Sequence, residues 1–480
     1  MKTTSLPVTT VAALAWFAAG IIGATAQSPS QAAAGERAEM TDPRPGSSDR
    51  SELQWWKGNL HTHTLWSDGD SYPELVVDWY KEHGYDFLAL SDHNVLSEGQ
   101  KWVHPTRSRF TRGRGEETLA RYIERFGEDW VETRTVDEAF LEELDRLPAT
   151  GGAGARRPPE EHLELGEELV RLKPLNEFRH LFEEPGRFMM IQSEEISAAF
   201  TVHVNATNLI NYIPPERGED VVETMELNAA AVYKQRERTG QPMFPHINHP
   251  NFRWAITGEQ LAQIENTRFF EVYNGHPGVN NLGDEFHVDL DRMWDIVLTL
   301  RLAELDLGVM FGLAVDDAHE YGPEGYRHSL PGRGWVMVRS AFLTPEHLIA
   351  ALEAGEFYST TGVTLKNFSF DGDRYEIEID PAENVTYRTK FIGTREGYDD
   401  SREPVRDEDG EALDVTQRYS DEVGEVLAVV EGTNPVYEIA GDELYVRAKI
   451  ISDRPKENPY SPDEKWEVAW TQPVLPGGDH

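Results

Sequence analysis

Two histidines separated by one residue, His61 and His63, follow a short apolar approach, and Asp68 comes shortly after them. On an extended segment, residues two apart point to the same side. Both imidazoles can therefore face one metal ion, and Asp68 can return to that ion from the following loop. A set of imidazoles and carboxylates suits a hard or borderline divalent ion such as Zn, Mn or Fe. Taken alone, the pattern is weak evidence, because such histidines are more often hydrogen-bonded structural residues than ligands.

Similar groups recur at four later places, each after an apolar run that predicts a buried strand. They are Asp92-His93 after 87–90, Glu194-Glu195 and then His203 after 188–191, His246 and His249 after 243–244, and Asp316-Asp317 with His319 after 309–313. In barrels of parallel strands, functional groups collect at the carboxyl ends of the strands. Five strand ends that each supply histidine or carboxylate predict a single metal centre.

The elements that must position these groups are predicted from the alternation of apolar runs and helical patterns between 51 and 365. This alternation indicates an α/β domain built on a parallel sheet, with a capping box at Ser71 opening the first helix. Residues from about 97 to 185 are highly charged and predict a partly helical insertion with a mobile centre near 151–159, either a surface loop or a lid. From 366 to 480 the pattern becomes strand-like, which predicts a C-terminal β-sandwich-like domain.

Composition limits the classes of partner. The chain has 480 residues, of which 85 are acidic and 45 basic, and its formal net charge is −40. Such a surface repels phosphate backbones and anionic lipid headgroups, so we expect neither nucleic acid nor a membrane surface as a partner. The chain has no cysteine, which excludes disulfides and thiolate ligands.

The first residues predict export. Lys2, an apolar stretch from 11 to 22 and the small residues Ala24-Thr25-Ala26 are typical of a signal peptide covering 1–26. Residues 27–50 are rich in Ser, Pro, Gly and Ala and predict a flexible leader. We therefore expect a periplasmic or secreted protein. A retained anchor helix is the alternative, although the apolar run is short for a membrane span.

Together the motifs resemble the PHP superfamily, the polymerase and histidinol phosphatase metallohydrolases, over roughly residues 56–362. The matching residues are His61, His63 and Ser67-Asp68-Gly69, then Asp92-His93, then Glu195-Ile196-Ser197 with His203, then His249-Pro250, and finally Asp317 with His319. The resemblance implies a distorted (β/α)7 barrel with two or three divalent metal ions. It also favours Glu195 over Glu194 as a ligand.

Carried over residue by residue, the resemblance implies how the ions are held. One ion would be bound by His61, His63, Glu195 and Asp317, a second by Glu195, His203 and His249, and a third by Asp68, His93 and His319. Glu195 would bridge two ions, and Asp92 would orient a ligand imidazole. His246 and His276 are candidate general acids or substrate-orienting groups, with a supporting, hydrogen-bonded imidazole as the alternative for both.

Further segments resemble the carbaryl-hydrolase-related branch of these metallohydrolases. They include Ile247-Asn248-His249-Pro250, the run from Glu271 to His276, the run from Phe357 to Gly362, and Ala469-Trp470-Thr471-Gln472-Pro473. The long insertion after His93 departs from the compact superfamily pattern.

These implications lead to an exported, metal-dependent hydrolase in which a metal-activated water attacks an ester of a small molecule. Phosphoesters are the usual substrates of the superfamily, so a phosphoesterase is the leading interpretation. A carboxylic or carbamic ester hydrolase is the alternative among enzymes, and a metal-stabilised binding module without turnover is the alternative of another class. Candidate anion contacts are Arg253 and Arg327, and candidate walls of an aromatic cleft are Trp55, Trp56, Trp66 and Trp102, with surface charge and core packing as the alternatives.

Overall fold

The structure is a computed structural model that describes residues 53–105, 111, 113–146, 163–322 and 325–476. The expected signal peptide, the leader and the expected mobile centre of the insertion lie outside these residues. Among the helices in the described ranges, none is both long enough and apolar enough to cross a membrane.

Strands outnumber helices in the described chain. The strands are β1 (Gln54–Asn59), β2 (Phe87–Leu90), β3 (Lys101–Val103), β4 (Thr133–Thr135), β5 (Glu168–Leu172), β6 (Met189–Ser197), β7 (His203–Thr207), β8 (Phe244–Ile247), β9 (Phe269–Asn274), β10 (Phe311–Val315), β11 (Trp335–Ser340), β12 (Phe357–Thr360), β13 (Leu365–Phe370), β14 (Arg374–Ile379), β15 (Tyr387–Arg395), β16 (Arg402–Glu403), β17 (Arg418–Tyr419), β18 (Glu425–Glu431), β19 (Val436–Glu438), β20 (Glu443–Pro455) and β21 (Trp466–Thr471). The α-helices are α1 (Pro73–Glu82), α2 (Gly115–Phe126), α3 (Glu138–Arg146), α4 (Leu175–Phe182), α5 (Val221–Thr239), α6 (Gly258–Ala262), α7 (Leu290–Thr299) and α8 (Pro345–Glu353). A short 3₁₀ turn covers Ala199–Thr201, and a π-helical turn, Leu300–Glu304, continues α7.

One large sheet carries the site. It has 13 strands in the order β10-β9-β8-β7-β6-β2-β1-β11-β12-β21-β20-β15-β18. The pairs β1–β2, β2–β6, β8–β9 and β9–β10 are parallel, as the sequence predicts. Strands β2, β9 and β10 are buried along their whole length, because the sheet is covered on both faces here. The α/β class is confirmed, and the closed (β/α)7 barrel stays a prediction.

Strand β7 breaks the expected parallel order, because it runs antiparallel to both β6 and β8. The reason is the short connection between Ser197 and His203, since a parallel crossover needs a dozen or more residues. The carboxyl end of β6 consequently meets the amino end of β7, and Glu195 and His203 come together there.

The two ends of the run from β1 to β10 meet beside the predicted ligands. An isolated parallel bridge joins Thr62, just after β1, to Ala318, just after β10. The amide of His63 donates to the carbonyl of Ala318 at 3.0 Å, and the amide of Asp317 donates to the carbonyl of His61 at 3.1 Å. This bridge places the His61–His63 segment directly against the Asp317 segment.

The first helix does not start as predicted. It begins at Pro73 with Tyr72 as N-cap, and no side chain caps it. The hydroxyl of Ser71 donates instead to Oδ1 of Asp70 at 2.8 Å, so the expected capping box is absent. A capping box does form at α6, where Thr257 and Gln260 exchange side-chain and backbone hydrogen bonds.

The insertion is packed against the rest of the chain in its described part. Strands β3, β5 and β4 form a small antiparallel sheet in that order. Tyr122 of α2, together with Val170 and Leu172 of β5, shares a buried cluster with Leu65 and Trp66 of the segment that follows His63. The insertion therefore supports the loop that carries Asp68.

The C-terminal strands extend the large sheet and add a second layer to it. Strands β21, β20, β15 and β18 continue the sheet from β12, while β13, β14 and β19 form a separate three-stranded sheet. The two sheets share a buried cluster that includes Phe391 and Ile450 of the large sheet and Tyr375 and Ile377 of the small one. The two sheets therefore pack face to face, and a separate C-terminal β domain stays a prediction.

Candidate metal centre

The predicted ligands converge at one end of the large sheet. His61 and His63 follow β1, His93 follows β2, Glu195 lies near the end of β6, His203 opens β7, His249 follows β8, and Asp317 and His319 follow β10. Four overlapping groups of at least three potential ligands occur in the described chain, namely His63/Asp68/His93/His319, His61/His63/Glu195, His93/Glu195/His203 and His61/His246/Glu271.

The deepest group combines two imidazoles with two carboxylates. Nε2 of His61 lies 3.1 Å from Nε2 of His63, 3.4 Å from Oε2 of Glu195 and 3.3 Å from Oδ1 of Asp317. Nε2 of His63 lies 3.3 Å and 3.2 Å from the same two oxygens. Ligand atoms bound to one ion at about 2.0–2.2 Å are separated by roughly 3.0–3.5 Å at octahedral or tetrahedral angles. The spacing of these four atoms therefore fits a shared divalent ion.

Glu195 faces a second group with its other oxygen. Oε1 of Glu195 lies 2.8 Å from Nδ1 of His203 and 3.3 Å from Nε2 of His249. The side-chain amide of Asn248 also donates to Oε1 at 2.8 Å and fixes the orientation of the carboxylate. A carboxylate whose two oxygens face different groups is placed to bridge two ions.

A third group surrounds Asp68. Oδ1 of Asp68 lies 3.3 Å from Nε2 of His319 and 3.6 Å from Nε2 of His93. Nδ1 of His319 lies 2.9 Å from the carbonyl of Asp317, to which it donates, so the lone pair of His319 is on Nε2 and points to Asp68.

Two buried carboxylate oxygens indicate that these imidazoles and carboxylates fit metal ions. Oε2 of Glu195 and Oδ1 of Asp68 form no hydrogen bond of acceptable geometry, although each is buried beside several ring nitrogens. A buried carboxylate oxygen without a donor is costly. A divalent cation would satisfy both atoms, so the residues fit the metal ions that the sequence implies.

The protonation of the imidazoles and carboxylates also suits metal binding. Burial, reinforced by the neighbouring imidazoles of His319 and His93, lowers the pKa of His63 to about 3, so this ligand is neutral. Burial opposes ionisation of Glu195, but the imidazoles of His93, His61 and His203 outweigh it and hold the pKa well below its usual value. Burial disfavours protonation of His61 in the same way, yet the carboxylates of Asp317, Glu271 and Glu195 raise its pKa well above the usual value. Metal binding would therefore displace a proton from His61.

Glu271, which the sequence analysis did not single out, supports the deepest group. Its Oε1 lies 2.7 Å from Nδ1 of His61, and its Oε2 accepts from the backbone amide of His249 at 2.8 Å and from Asn274 at 2.8 Å. Because Nδ1 of His61 donates to this carboxylate, Nε2 is the nitrogen that would bind a metal ion once its proton is displaced. The signal available in the sequence is a carboxylate inside the apolar run 269–273, where a buried charge requires a partner.

Asp92 acts by a different route from the one expected. It does not contact a ligand imidazole directly, but accepts from the amide and hydroxyl of Thr64 at 2.8 Å each and from the hydroxyl of Ser67 at 2.6 Å. The hydroxyl of Ser67 lies 3.3 Å from Nδ1 of His63. Asp92 therefore shapes the turn that follows His63 and reaches the imidazole through Ser67.

The two candidate general acids lie in different places. His246 is fully buried with its Nε2 3.2 Å from Oε1 of Glu271, behind His61, so its position fits the supporting alternative. The ring of His276 lies edge-on to that of His319 at 5.3 Å and is partly exposed. The amide of Gly278 donates to Nδ1 of His276 at 3.0 Å, which leaves the proton on Nε2 in the neutral ring.

Backbone strain concentrates at the site. Ten non-glycine residues of the described chain have a positive φ, and seven of them lie in turns that carry predicted ligands. These seven are Asn94, Phe200, Thr201, His249, Arg253, Trp254 and Asp317. Such conformations cost of order 1 kcal/mol each and persist where the surroundings over-determine them, as functional sites do.

The exposure of the side chains shows where the site opens. His61, His63 and Glu195 are essentially inaccessible, whereas 35% of the Asp68 side chain, 26% of His93 and 15% of His203 is exposed. The mouth of the site is therefore on the side of Asp68, His93 and His203.

Most of the aromatic cleft candidates serve packing instead. Trp56, Trp66 and Trp102 are buried, and the indoles of Trp56 and Trp66 donate to backbone carbonyls. Trp55 packs edge-on against Tyr358 at 5.0 Å. Both Arg253 and Arg327 are exposed, and Arg253 lies in a turn of the site.

Comparisons with known proteins find distant likeness among solved structures. No protein-family model and no curated protein matches the chain. A two-domain protein from Bacteroides vulgatus, described as containing a predicted PHP-like metal-dependent phosphoesterase, is similar over 88% of this chain and 96% of its own, with 14% identity and a TM-score of 0.34. Such a likeness assigns no chemistry to this chain, so what the site can do follows from its own side chains.

Proposed function

We propose that this protein is a multinuclear metal-dependent hydrolase that acts on phosphoesters of small molecules. The observation that carries the proposal is the placement of Glu195, whose two oxygens face two different groups of imidazoles within 3.4 Å. Ions bound by these groups would lower the pKa of a water molecule and stabilise negative charge on the oxygens of the ester.

The residues of the chain hold and orient the reacting groups. Glu271 and the carbonyl of Asp317 fix the imidazoles of His61 and His319, so that both present Nε2 to the centre. His276 stands beside His319 with its Nε2–H free to donate, and burial lowers its pKa to about 4, so the neutral ring is placed to orient an oxygen of the ester by a hydrogen bond. This arrangement needs no serine or cysteine nucleophile.

Within the metal-dependent hydrolases, we assign the chain to the PHP superfamily. This assignment is supported by the match of nine ligand positions and by the meeting of β1 and β10 through Thr62 and Ala318, which would close strands β1, β2 and β6 to β10 into a seven-stranded barrel. Membership of the carbaryl-hydrolase-related branch remains a hypothesis that rests on the short motifs alone.

We also propose export, with cleavage after Ala26 and a periplasmic or secreted mature chain that does not bind a membrane. The support is the order of Lys2, the apolar stretch and Ala24-Thr25-Ala26. Amino-terminal sequencing of protein recovered from the periplasm or medium should begin at Gln27. Protein that retains residues 1–26 in the membrane fraction would contradict this.

Hydrolysis by the mature chain, reconstituted with Mn or Zn, tests the function. Nitrophenyl phosphate, bis(nitrophenyl) phosphate, nitrophenyl acetate and a naphthyl carbamate should be compared, with His61→Ala/His63→Ala as the control. We expect turnover of a phosphate substrate that is lost in the control. Turnover of only the acetate or the carbamate would instead make the protein a carboxylic or carbamic ester hydrolase. Bound metal without turnover of any substrate would favour a binding module.

A further inference from the structure

Two arginines stand on aromatic rings beside the mouth of the metal centre. The guanidinium of Arg253 lies 5.3 Å from the centroid of the Phe252 ring, and that of Arg217 lies 5.0 Å from the Phe200 ring. The Phe252 ring is 5.0 Å from the His249 ring and 6.2 Å from both the His203 and the His276 rings. Phe200, which is 39% exposed, lies in the short turn that ends at His203.

No carboxylate among the described residues is paired with either arginine. In the parts of the chain that the structure describes, Arg217 and Arg253 form no ion pair and donate no hydrogen bond, and both are exposed. The chain has 85 acidic residues against 45 basic ones, so its surface as a whole repels an anionic substrate. Cations placed at the mouth of a site raise the local concentration of an anionic substrate, which the net charge of −40 would otherwise repel.

The turns that present these aromatic rings are held in strained conformations. Phe200 and Thr201 have φ values of 59° and 60°, and Arg253 and Trp254 have values of 53° and 56°. Two adjacent non-glycine residues in the left-handed region are uncommon, because each conformation is energetically unfavourable. Two such pairs occur here, in the turns next to His203 and His249. Arg253 and the ring that supports Arg217 are therefore fixed in place by the fold.

We propose that Arg253 and Arg217 select phosphoesters whose leaving group carries a second negative charge, such as a carboxylate or another phosphate. The inference rests on the proposed phosphoesterase function. The ligand groups around Glu195 would receive the phosphoryl group, and the exposed arginines contact Phe252 and Phe200, which lie in the turns next to His249 and His203. They are thus placed to contact the remainder of the substrate, and an exposed guanidinium binds carboxylate or phosphate oxygens through charge-assisted hydrogen bonds.

The test compares phenyl phosphate with 3-carboxyphenyl phosphate, which differ only by a carboxylate on the leaving group. The metal-loaded wild-type protein should have a lower KM for the carboxylated substrate, and the difference should shrink as salt is added. Arg253→Gln and Arg217→Gln should each raise that KM about tenfold with little change in kcat, and raise the KM for phenyl phosphate much less. Arg253→Lys should recover part of the preference.

Arg388→Gln is the matched control, because Arg388 is exposed on β15 and forms no ion pair within the described ranges. It should change neither KM. Equal KM values for the two substrates in the wild-type protein, or an equal rise for both in the arginine variants, would overturn the proposal. If neither substrate is hydrolysed, the proposed function fails. Isothermal titration calorimetry then tests separately whether the two arginines bind the second negative charge of a ligand. The Kd of phosphonoacetate is compared with that of methylphosphonate, which lacks the carboxylate. Equal Kd values would overturn the role of the arginines. A lower Kd for phosphonoacetate that is lost in both Arg253→Gln and Arg217→Gln would support it.

Discussion

At the scale of single residues, the contrast between Glu194 and Glu195 shows how the site is built. Both are buried, but Glu195 faces the imidazoles while Glu194 accepts from the amide of Ile213 at 3.0 Å. Alternation along β6 predicts that the two point to opposite faces. The sequence cannot say which face carries the site, because that depends on the pairing of β6 with its neighbours, so only the resemblance favoured Glu195.

Glu271→Gln should weaken metal binding. The substitution removes the carboxylate that accepts a hydrogen bond from Nδ1 of His61 and orients its ring. Loss of a hydrogen-bond partner of a metal ligand typically lowers metal affinity or activity about 10–100-fold. The measurement is the metal content per chain after dialysis against a weak chelator, together with kcat. Glu194→Gln is the matched control, since it keeps an oxygen to accept from Ile213 and should retain metal. Equal metal loss in both variants would indicate a general loss of packing.

His276→Gln should slow substrates with poor leaving groups most. If the Nε2–H of His276 donates a hydrogen bond to the leaving oxygen as negative charge develops there, its loss removes a factor of about 10–100 for phenyl phosphate and less for nitrophenyl phosphate, whose leaving group needs little help. The measurement is kcat for both substrates in wild-type and variant proteins. An equal loss for the two would show that His276 only positions the substrate.

At the scale of elements, the sequence predicted most of the strands that carry the ligands, but not β7, which opens with His203. The run 87–90 is apolar throughout and the run 269–273 is apolar except for Glu271, which indicates buried strands, and the structure places β2 and β9 there. The reversal at β7 was missed because a short connection within 198–202 carries no apolar periodicity. The packing of the insertion could not be predicted either. Its residues contact Leu65 and Trp66, which lie far from them in the chain, and sequence patterns report only on neighbouring residues.

Glu74 provides a pH-dependent test of how the insertion docks. This fully buried carboxylate of α1 accepts from Tyr122 of α2 at 2.7 Å and from the indole of Trp130 at 3.0 Å. Burial raises the pKa of Glu74 from 4.5 to about 7. The folded protein thus holds the proton more tightly than the unfolded chain, so this stability is fully present below pH 4.5 and is lost as the pH rises through 7.

Glu74→Gln should therefore remove part of the pH dependence of unfolding. Between pH 4.5 and pH 8 the wild-type protein should lose roughly 3 kcal/mol relative to the variant, because the glutamine cannot ionise. Urea unfolding at the two pH values measures this difference. Parallel pH profiles for the two proteins would show that Glu74 does not ionise in this range.

At the scale of the whole molecule, the C-terminal strands are joined to the metal-binding part by a buried ion pair. Arg447 of β20 donates to both oxygens of Asp295 of α7 at 2.7 Å, and the hydroxyl of Tyr445 donates to Oδ1 of Asp295 at 2.8 Å. The alternating pattern after 366 predicted the strands, but not that β20 and β21 would continue the large sheet. That continuation depends on the pairing of β12 with β21, more than a hundred residues apart in the chain.

Asp295→Ala should destabilise the whole described unit. It removes both short hydrogen bonds to the buried guanidinium of Arg447 and leaves Asp291, at 3.3 Å, as its carboxylate partner. Breaking such a buried pair costs up to about 3–5 kcal/mol. Chemical unfolding followed by far-ultraviolet circular dichroism and by tryptophan fluorescence should show a single transition shifted by this amount in both signals. Asp453→Ala, which removes an exposed partner of Thr386, is the control and should shift the transition much less. Two separate transitions, with only one shifted, would show that the C-terminal strands unfold independently.

The most direct test of the metal-dependent reaction is a titration of metal-free protein with Mn²⁺ while nitrophenyl phosphate hydrolysis is followed. The side-chain groups around Glu195 predict no turnover without metal, a rise that continues beyond one equivalent, and none at any metal concentration in His61→Ala/His63→Ala. Turnover that is independent of added metal, or that survives in this variant, would contradict the account.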